Sequence, residues 1–430
     1  MPGVTALHAH RLIDGTGRPP IDDGVVVVEA ERILAVGPAG STSIPPDAER
    51  IDLGDRTLLP GFIDAHSHAT INPGLRGIIG QLEGLNEPSP RQVLRGARNL
   101  RIDLASGVTT MRLVGEVPYN DVTLRDAIGA GYIVGPRLLI SGRAITSSNG
   151  HGSLVGAWIV DGEDEMRRVV REQLRMGCDF TKLIVTGRRY VKNAKEYLGF
   201  TEAEIAAAID ETHRVGSRIG AHLRMDLETG LRLCLQHGLD LTDHVFPVDS
   251  ESIDLFLSSG ATAVPTYTIA LQTQVDWNQL HGKPIADRLA HIRQLDAERL
   301  AQREFDDRAV EARVTLVRDH AADAFRRAAA AGVKSCLGTD AMHGLFAYEM
   351  EILAGWDIPE MDAIVAGTLS GAKALGIDEE TGSLEAGKLA DIIAVDGDPL
   401  ADIRALGNVS FVMRGGRRYD PAALLEDIAV

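Results

Sequence analysis

The run Leu-Leu-Pro-Gly-Phe-Ile-Asp-Ala-His-Ser-His-Ala-Thr at 58–70 ends in His66-x-His68. In an extended backbone, residues two apart project from one side, so the two imidazoles face together and make half a metal site. The pair is a weak signal by itself, because the chain has 13 His and holds a second pair, His8-x-His10, with no apolar strand before it. A metal needs further His, Asp or Glu ligands, each delivered by a rigid element. If His66 and His68 end a strand of a parallel barrel, the remaining ligands should end strands too. Lys182, His222, His244 and Asp340 meet that condition, each standing on or at the end of a strand-like run. Taken singly, His222 or His244 reads as an ordinary structural histidine. Together, in strand order, the six point to a metal centre. Lys182 sits between Thr181 and Leu183-Ile184-Val185, where a lysine needs a partner.

The elements that must carry these residues alternate between strand-like and helical patterns from about 58 to 375. After the first strand come 107–113, 137–143, 180–186, 218–222, 241–244, 261–266 and 333–340. Eight strands separated by helices predict an α/β fold, a (β/α)8 TIM barrel with its active site at the C-terminal strand ends. Residues 163–176 and 202–215 carry good helix formers with apolar spacings of three and four. The connector from about 284 to 331 is long and charged, with Ile285, Leu289, Ile292 and Leu295 as its apolar positions and Pro284 suited to the first helical position. It reads as helices packed on the barrel, with a lid or an oligomer contact as the alternatives. Short strands at about 4–57 are too few to bury a core alone. The strand-like runs 390–396 and 409–416 complete them, so residues 1–57 plus 376–430 are expected to form a small β-sandwich domain beside the 58–375 barrel.

The 430 residues, 44% hydrophobic and 24% charged, suit a folded chain with a sizeable core. A formal charge of −17 argues against non-specific nucleic-acid binding and against an anionic membrane surface. Cys178, Cys234 and Cys336 are widely spaced and odd in number, which fits buried thiols rather than a disulfide framework. No run approaches the roughly 18 to 20 apolar residues of a membrane helix, and the N-terminus lacks the pattern of a signal peptide. A cytoplasmic location is the default expectation.

The sequence resembles the amidohydrolase superfamily, and within it the imidazolonepropionase-like group that includes metal-dependent dipeptidases and ochratoxin-type amidases. The resemblance rests on Leu-Ile-Asp-Gly-Thr-Gly at 12–17, Leu-Pro-Gly-Phe-Ile-Asp-Ala-His-Ser-His at 59–68, Gly-Val-Thr-Thr at 107–110 and Gly-His-Gly at 150–152. Gly-Thr-Asp-Ala at 338–341 and Gly-Ser-Leu-Glu-Ala-Gly-Lys-Leu-Ala-Asp-Ile at 382–392 complete it. It implies two divalent metal ions: His66, His68 and Asp340 hold one, and His222 and His244 the other. Zinc is the default, and Mn, Co, Ni or Fe would fit the same set. It also implies that Lys182 becomes a CO2-derived carbamate bridging the ions, since an ammonium cannot ligate a cation. The implied reaction is hydrolysis of an amide C–N bond, most simply of a dipeptide or N-acyl amino acid, by a metal-bridging hydroxide. Asp340 would then be the general base and acid, and His151 would stabilise the oxyanion or contact substrate, unless it is a turn residue.

Two departures from the resemblance concern the substrate. His222-Leu223-Arg224 replaces the Tyr expected two residues after the strand-five histidine, so Arg224, Arg188 or Arg189 could pair with a substrate carboxylate, or be surface charges. An anionic small-molecule substrate is the expected partner. The segment after Asp340 is short, and His343 either faces the substrate or fills the space a longer loop would take. A cyclic-amide, carbamate or urea hydrolase is the alternative on the same core, while Lys182 argues against a deaminase. A catalytically silent scaffold would have lost ligands, and all six positions are filled. A homo-oligomer is expected.

Overall fold

The computed structural model describes residues 3–71, 87–148, 150–153, 156–186, 198–223, 228–244, 249–271, 280, 283–304, 311 and 314–426. The chain opens with β1 (Val4–Leu12), β2 (Ile21–Glu29), β3 (Arg32–Pro38), β4 (Glu49–Asp52) and β5 (Arg56–Pro60). Then follow β6 (Phe62–Ser67), β7 (Val108–Leu113), β8 (Arg137–Ile140), β9 (Ile145–Thr146), β10 (Trp158–Ile159), β11 (Phe180–Ile184), β12 (Arg218–His222), β13 (Leu241–Asp243), β14 (Thr262–Val264) and β15 (Lys334–Ser335). It closes with β16 (Ile392–Asp396), β17 (Val409–Arg414) and β18 (Arg417–Tyr419).

Both chain ends join in one eight-stranded sheet of order β18-β17-β16-β5-β1-β2-β3, with β4 beside β1. Leu7, Leu12, Val26, Val28, Ile33, Leu58 and Ile392 fill its core. The boundary expected at 57/58 falls inside β5, where Leu58, Leu59 and Pro60 pair with Ala394, Ile393 and Ile392 of the terminal sheet. Only Gly61 separates this strand from the first barrel strand, so the terminal sheet holds the start of β6 directly.

The barrel is an α/β arrangement of eight parallel strands, β6, β7, β8 and β11 to β15, wrapped by helices. β6-β7-β8 form one arc and β11-β12-β13-β14-β15 the other. The arcs meet where Asp179 N–H donates to Ile140 O (2.8 Å) and where Ala65 N–H donates to Leu337 O (2.9 Å) and Thr339 N–H to His66 O (3.0 Å). The last expected strand, 333–340, is regular only at Lys334–Ser335; single bonds to β14 and β6 guide the rest. That seam carries Asp340 to the side of His66. The third expected strand also stops early, at Ile140, and the chain re-enters the sheet as β9 beside β11.

The predicted helices are present as Glu163–Arg175 and Glu202–His213, the second opened by a capping box between Thr201 and Glu204. In the long connector, Ile285–Ala301 is helical and buries Ile285, Leu289 and Ile292 against Met342 and Leu345, which lie just past Asp340. The same helix buries Asp296. Burial pushes its carboxyl up to about 7, with the Tyr348 hydroxyl and Arg299 pulling the other way. A raised carboxyl favours the fold while protonated in it, so this contribution is complete below the unfolded value near 4 and is lost as pH rises to about 7. Asp296→Asn is therefore expected to leave the melting temperature nearly unchanged at pH 4 and to raise it by several degrees at pH 8, equivalent to roughly 2–4 kcal/mol. Thermal melts at the two pH values measure this, and an equal shift at both would remove the explanation.

Candidate metal centre

The C-terminal ends of the barrel strands bring the predicted ligands together. His66 lies at the end of β6 and His68 just past it, Lys182 lies within β11, His222 ends β12, His244 follows β13 and Asp340 follows β15. His66 and His244 rings lie 4.6 Å apart, His222 and His244 4.5 Å, and His66 and His68 5.8 Å, centroid to centroid. His66, His244 and Asp340 each offer a ligand atom within 4.8 Å of the others. His68 Nδ1 donates to Gly115 O (2.9 Å), which turns Nε2 toward Asp340 Oδ1 at 3.4 Å; burial alone would lower this imidazole, but Asp340 raises it.

Backbone strain collects at the same place. His244, Thr266 and Asp340 hold φ of 69°, 26° and 52°, in the region non-glycine residues avoid. Each costs about 1–3 kcal/mol, and such conformations persist where surrounding structure fixes them for a site. One fixing contact is the 2.7 Å hydrogen bond between His244 Nδ1 and Thr266 Oγ1. Another is buried Asp64, which accepts from His66 N–H (3.1 Å), Thr339 N–H (3.2 Å) and the Thr339 hydroxyl (2.6 Å), tying the His-x-His strand to Asp340's segment.

The electrostatics suit divalent cations. Burial lowers His222 well below the ordinary histidine value, and neighbouring His244 and His151 add to it. His244 is lowered to about 3, again by burial first and His66 second. Both rings are neutral at pH 7 and keep a lone pair. Burial would raise the Asp340 carboxyl, but His66 and His68 overcome it and hold it well below the usual range, as an anion. The ring nitrogens of buried His66 make no hydrogen bond of good geometry among the described residues, although Asp243 Oδ1 lies 2.9 Å from Nδ1 and Asp340 Oδ1 3.4 Å from Nε2. A buried imidazole left so is costly; it fits a place where a cation completes the coordination, and the imidazole and carboxylate donors around it fit the same group. His66, His244 and Asp340 are the residues that could hold such an ion, with His68 and His222 beside them.

Lys182 and its neighbours show what the sequence reading missed. Lys182 Nζ bonds Asp243, and Arg112 Nη2 donates to both oxygens of the same carboxylate (2.8 and 3.0 Å). Arg112 and Asp243 are buried charges in strands, and the rule that such a charge needs a partner, used for Lys182, would have flagged both.

His151 is delivered to the site. Its ring stacks on His222 at 4.7 Å, and its N–H donates to Thr186 O (3.3 Å). The close turn depends on Gly150, where a Cβ would meet Thr146 Oγ1 at 1.9 Å. His343 goes elsewhere: buried, with Nδ1 2.8 Å from Asp103 Oδ2, it ties the segment after Asp340 to the helix Ser89–Ala105. Arg188, Arg189 and Arg224 lie outside the described residues.

A parallel eight-stranded barrel that gathers imidazoles, a carboxylate and a buried lysine at its catalytic face defines the class: a barrel hydrolase with a candidate metal centre. The chain belongs to the amidohydrolase family, whose match runs over residues 57–419, and it is an enzyme of that family. Ochratoxinase of Aspergillus niger is 26% identical over 450 residues, covering 97% of this chain and 86% of that protein. Imidazolonepropionase of Pseudomonas paraeruginosa (strain DSM 24068 / PA7) is 27% identical over 417 residues, covering 90% of this chain and 91% of that one. The crystal structure of a Xaa-Pro dipeptidase with methionine bound in its active site superposes with a TM-score of 0.80 at 27% identity, covering 97% of this chain and 100% of that one. Among the described residues, no helix is long and apolar enough to cross a membrane.

Proposed function

We propose that this chain is a binuclear metal-dependent hydrolase of the C–N bond in a dipeptide or N-acyl amino acid. The observation that carries the reading is the convergence of His66, His244 and Asp340, whose ligand atoms lie within 4.8 Å of one another at the C-terminal ends of the barrel strands. Similarity to a Xaa-Pro dipeptidase over nearly the whole chain supports the substrate class. Two divalent ions, zinc by default, would supply an acidified water and a polarised carbonyl.

The chain's own residues do the rest. Asp340, anionic and within reach of His66 and His68, takes the proton from the attacking water and passes it to the leaving amine nitrogen. His151, stacked on His222, is placed to donate to the carbonyl oxygen as charge develops there. Lys182 would supply an anionic ligand if its neutral amine reacted with CO2, the nitrogen losing a proton to water as the N–C bond forms. Elemental analysis of protein purified without chelators, paired with a hydrolysis screen of dipeptides, N-acyl amino acids and carbamates, tests the reading. The expected result is about two metals per chain, as a shared site requires, with turnover of dipeptides or N-acyl amino acids. Turnover confined to carbamates would replace the substrate class, and a folded chain with neither metal nor turnover would overturn the whole reading.

A further inference from the structure

The Asp243 carboxylate lies under the centre, between two proposed ligands that belong to different strands. Its Oδ1 is 2.9 Å from His66 Nδ1, and its Oδ2 bonds Lys182 Nζ. Arg112 holds both oxygens from β7. The guanidinium occupies a slot shaped for it. It lies 4.9 Å over the Phe180 ring of β11, and Gly220 of β12 leaves the room, since a Cβ there would come 3.0 Å from Arg112 Nη2 and 3.3 Å from Nη1.

Stability is a poor reason for this arrangement. Arg112 Nε and Nη1 find no hydrogen bond among the described residues. A buried ion pair with donors left over is commonly matched or bettered by apolar side chains of the same volume. What the pair supplies is a fixed carboxylate. Metal-ligating histidines are oriented through the nitrogen that does not ligate, very often by a carboxylate, and Asp243 stands beside Nδ1 of His66 while Nε2 faces Asp340 at 3.4 Å.

We propose that Arg112 and Asp243 are positioning residues for the metal centre: Arg112 fixes the Asp243 carboxylate, whose two oxygens set where His66 and Lys182 present their ligand atoms. This rests on the functional reading above. The role at Lys182 survives its modification. When the neutral amine attacks the carbon of CO2, the nitrogen lone pair becomes the N–C bond, one C=O pair moves to oxygen, and one N–H proton leaves to water. The remaining N–H still donates to Asp243 Oδ2 and orients the new carboxylate, while Arg112 offsets the charge of Asp243 beside that second anion.

The test uses the full chain, Co2+ titration in bicarbonate buffer, and the carbamate signal in 13C NMR after loading with 13C-bicarbonate. Arg112→Met leaves Asp243 paired with Lys182, and Arg112→Lys keeps the charge but loses the planar guanidinium that the Phe180 ring and the Gly220 slot seat against Asp243. The folded variants are expected to bind Co2+ roughly 10–100-fold more weakly, Met more than Lys, with the carbamate signal falling in step. A folded Arg112→Met with the parent's Co2+ affinity and carbamate signal overturns the proposal, even if its melting temperature has moved. Should that variant fail to fold, Arg112→Lys decides by the same criterion. A parent chain that binds no Co2+ and shows no carbamate overturns the functional reading itself, a distinct result.

Discussion

Lys182→Ala is expected to lose most of its bound metal and on the order of 10³-fold or more in kcat/KM, and to regain part of both in formate or acetate. Lys182 is buried within β11 between apolar neighbours. Burial lowers its ammonium below the ordinary lysine range, Asp243 opposes that shift and Arg112 adds to it. The neutral amine that reacts with CO2 is thereby made more available, while the anionic product sits where two cations would be held. Deleting the side chain removes that anion and leaves a slot that a small carboxylate can enter. It does not leave Asp243 alone, since Arg112 still bonds both its oxygens, so the fold is expected to survive and the loss to be chemical. Metal content, steady-state kinetics and a melt on the same sample separate these. A folded variant with unchanged metal and rate would remove the bridging role and leave Lys182 as the counter-ion of Asp243.

The asymmetry between that lysine and its partners shows what was legible in the sequence. The strand-borne residues could be read because a histidine, lysine or aspartate ending an apolar run is placed by the run itself, and a barrel gathers all such ends at one face. Asp340 needed more than its strand: the regular part of β15 ends at Ser335, and the three bonds of Asp64 together with the 66–339 seam bring the carboxylate to His66. Asp243 and Arg112 were passed over because each looks like an ordinary polar position in its strand until the pairing across the barrel is known. His343 illustrates the opposite limit. The residues alone left open whether it faces the substrate or fills the space of a shorter loop, and the turn at 341–345 carries it to Asp103, 240 residues away in sequence. The 57/58 boundary failed for a related reason: hydrophobicity runs unbroken from β5 into β6, and only the partner strand, β16, tells which sheet owns Leu58–Pro60.

Gly338→Ala is expected to disable the centre although residue 338 bears no functional group. A Cβ there would lie 2.6 Å from His66 Cβ, 2.8 Å from its nitrogen and 3.1 Å from its Cα. Two of these are backbone atoms of a fully buried strand, so no side chain can swing away to make room. The methyl must open the seam in which Ala65 N–H donates to Leu337 O, and Thr339 and Asp340 N–H both donate to His66 O. Opening it separates His66 from Asp340, the two residues whose 3.4 Å approach the site depends on. Overpacking of this kind costs about 1–3 kcal/mol, and a ligand displaced by about an ångström loses its cation. The expected outcome is a melting temperature lower by several degrees with metal content and turnover both near background. Gly40→Ala is the control, because a Cβ at Gly40 meets nothing within 4 Å and its φ is not positive, so metal, rate and melt are expected to match the parent. If Gly338→Ala kept its metal and its rate, the β6–β15 seam would be looser than drawn, and the positions of His66 and Asp340 would have to be set by the terminal sheet and Asp64 instead.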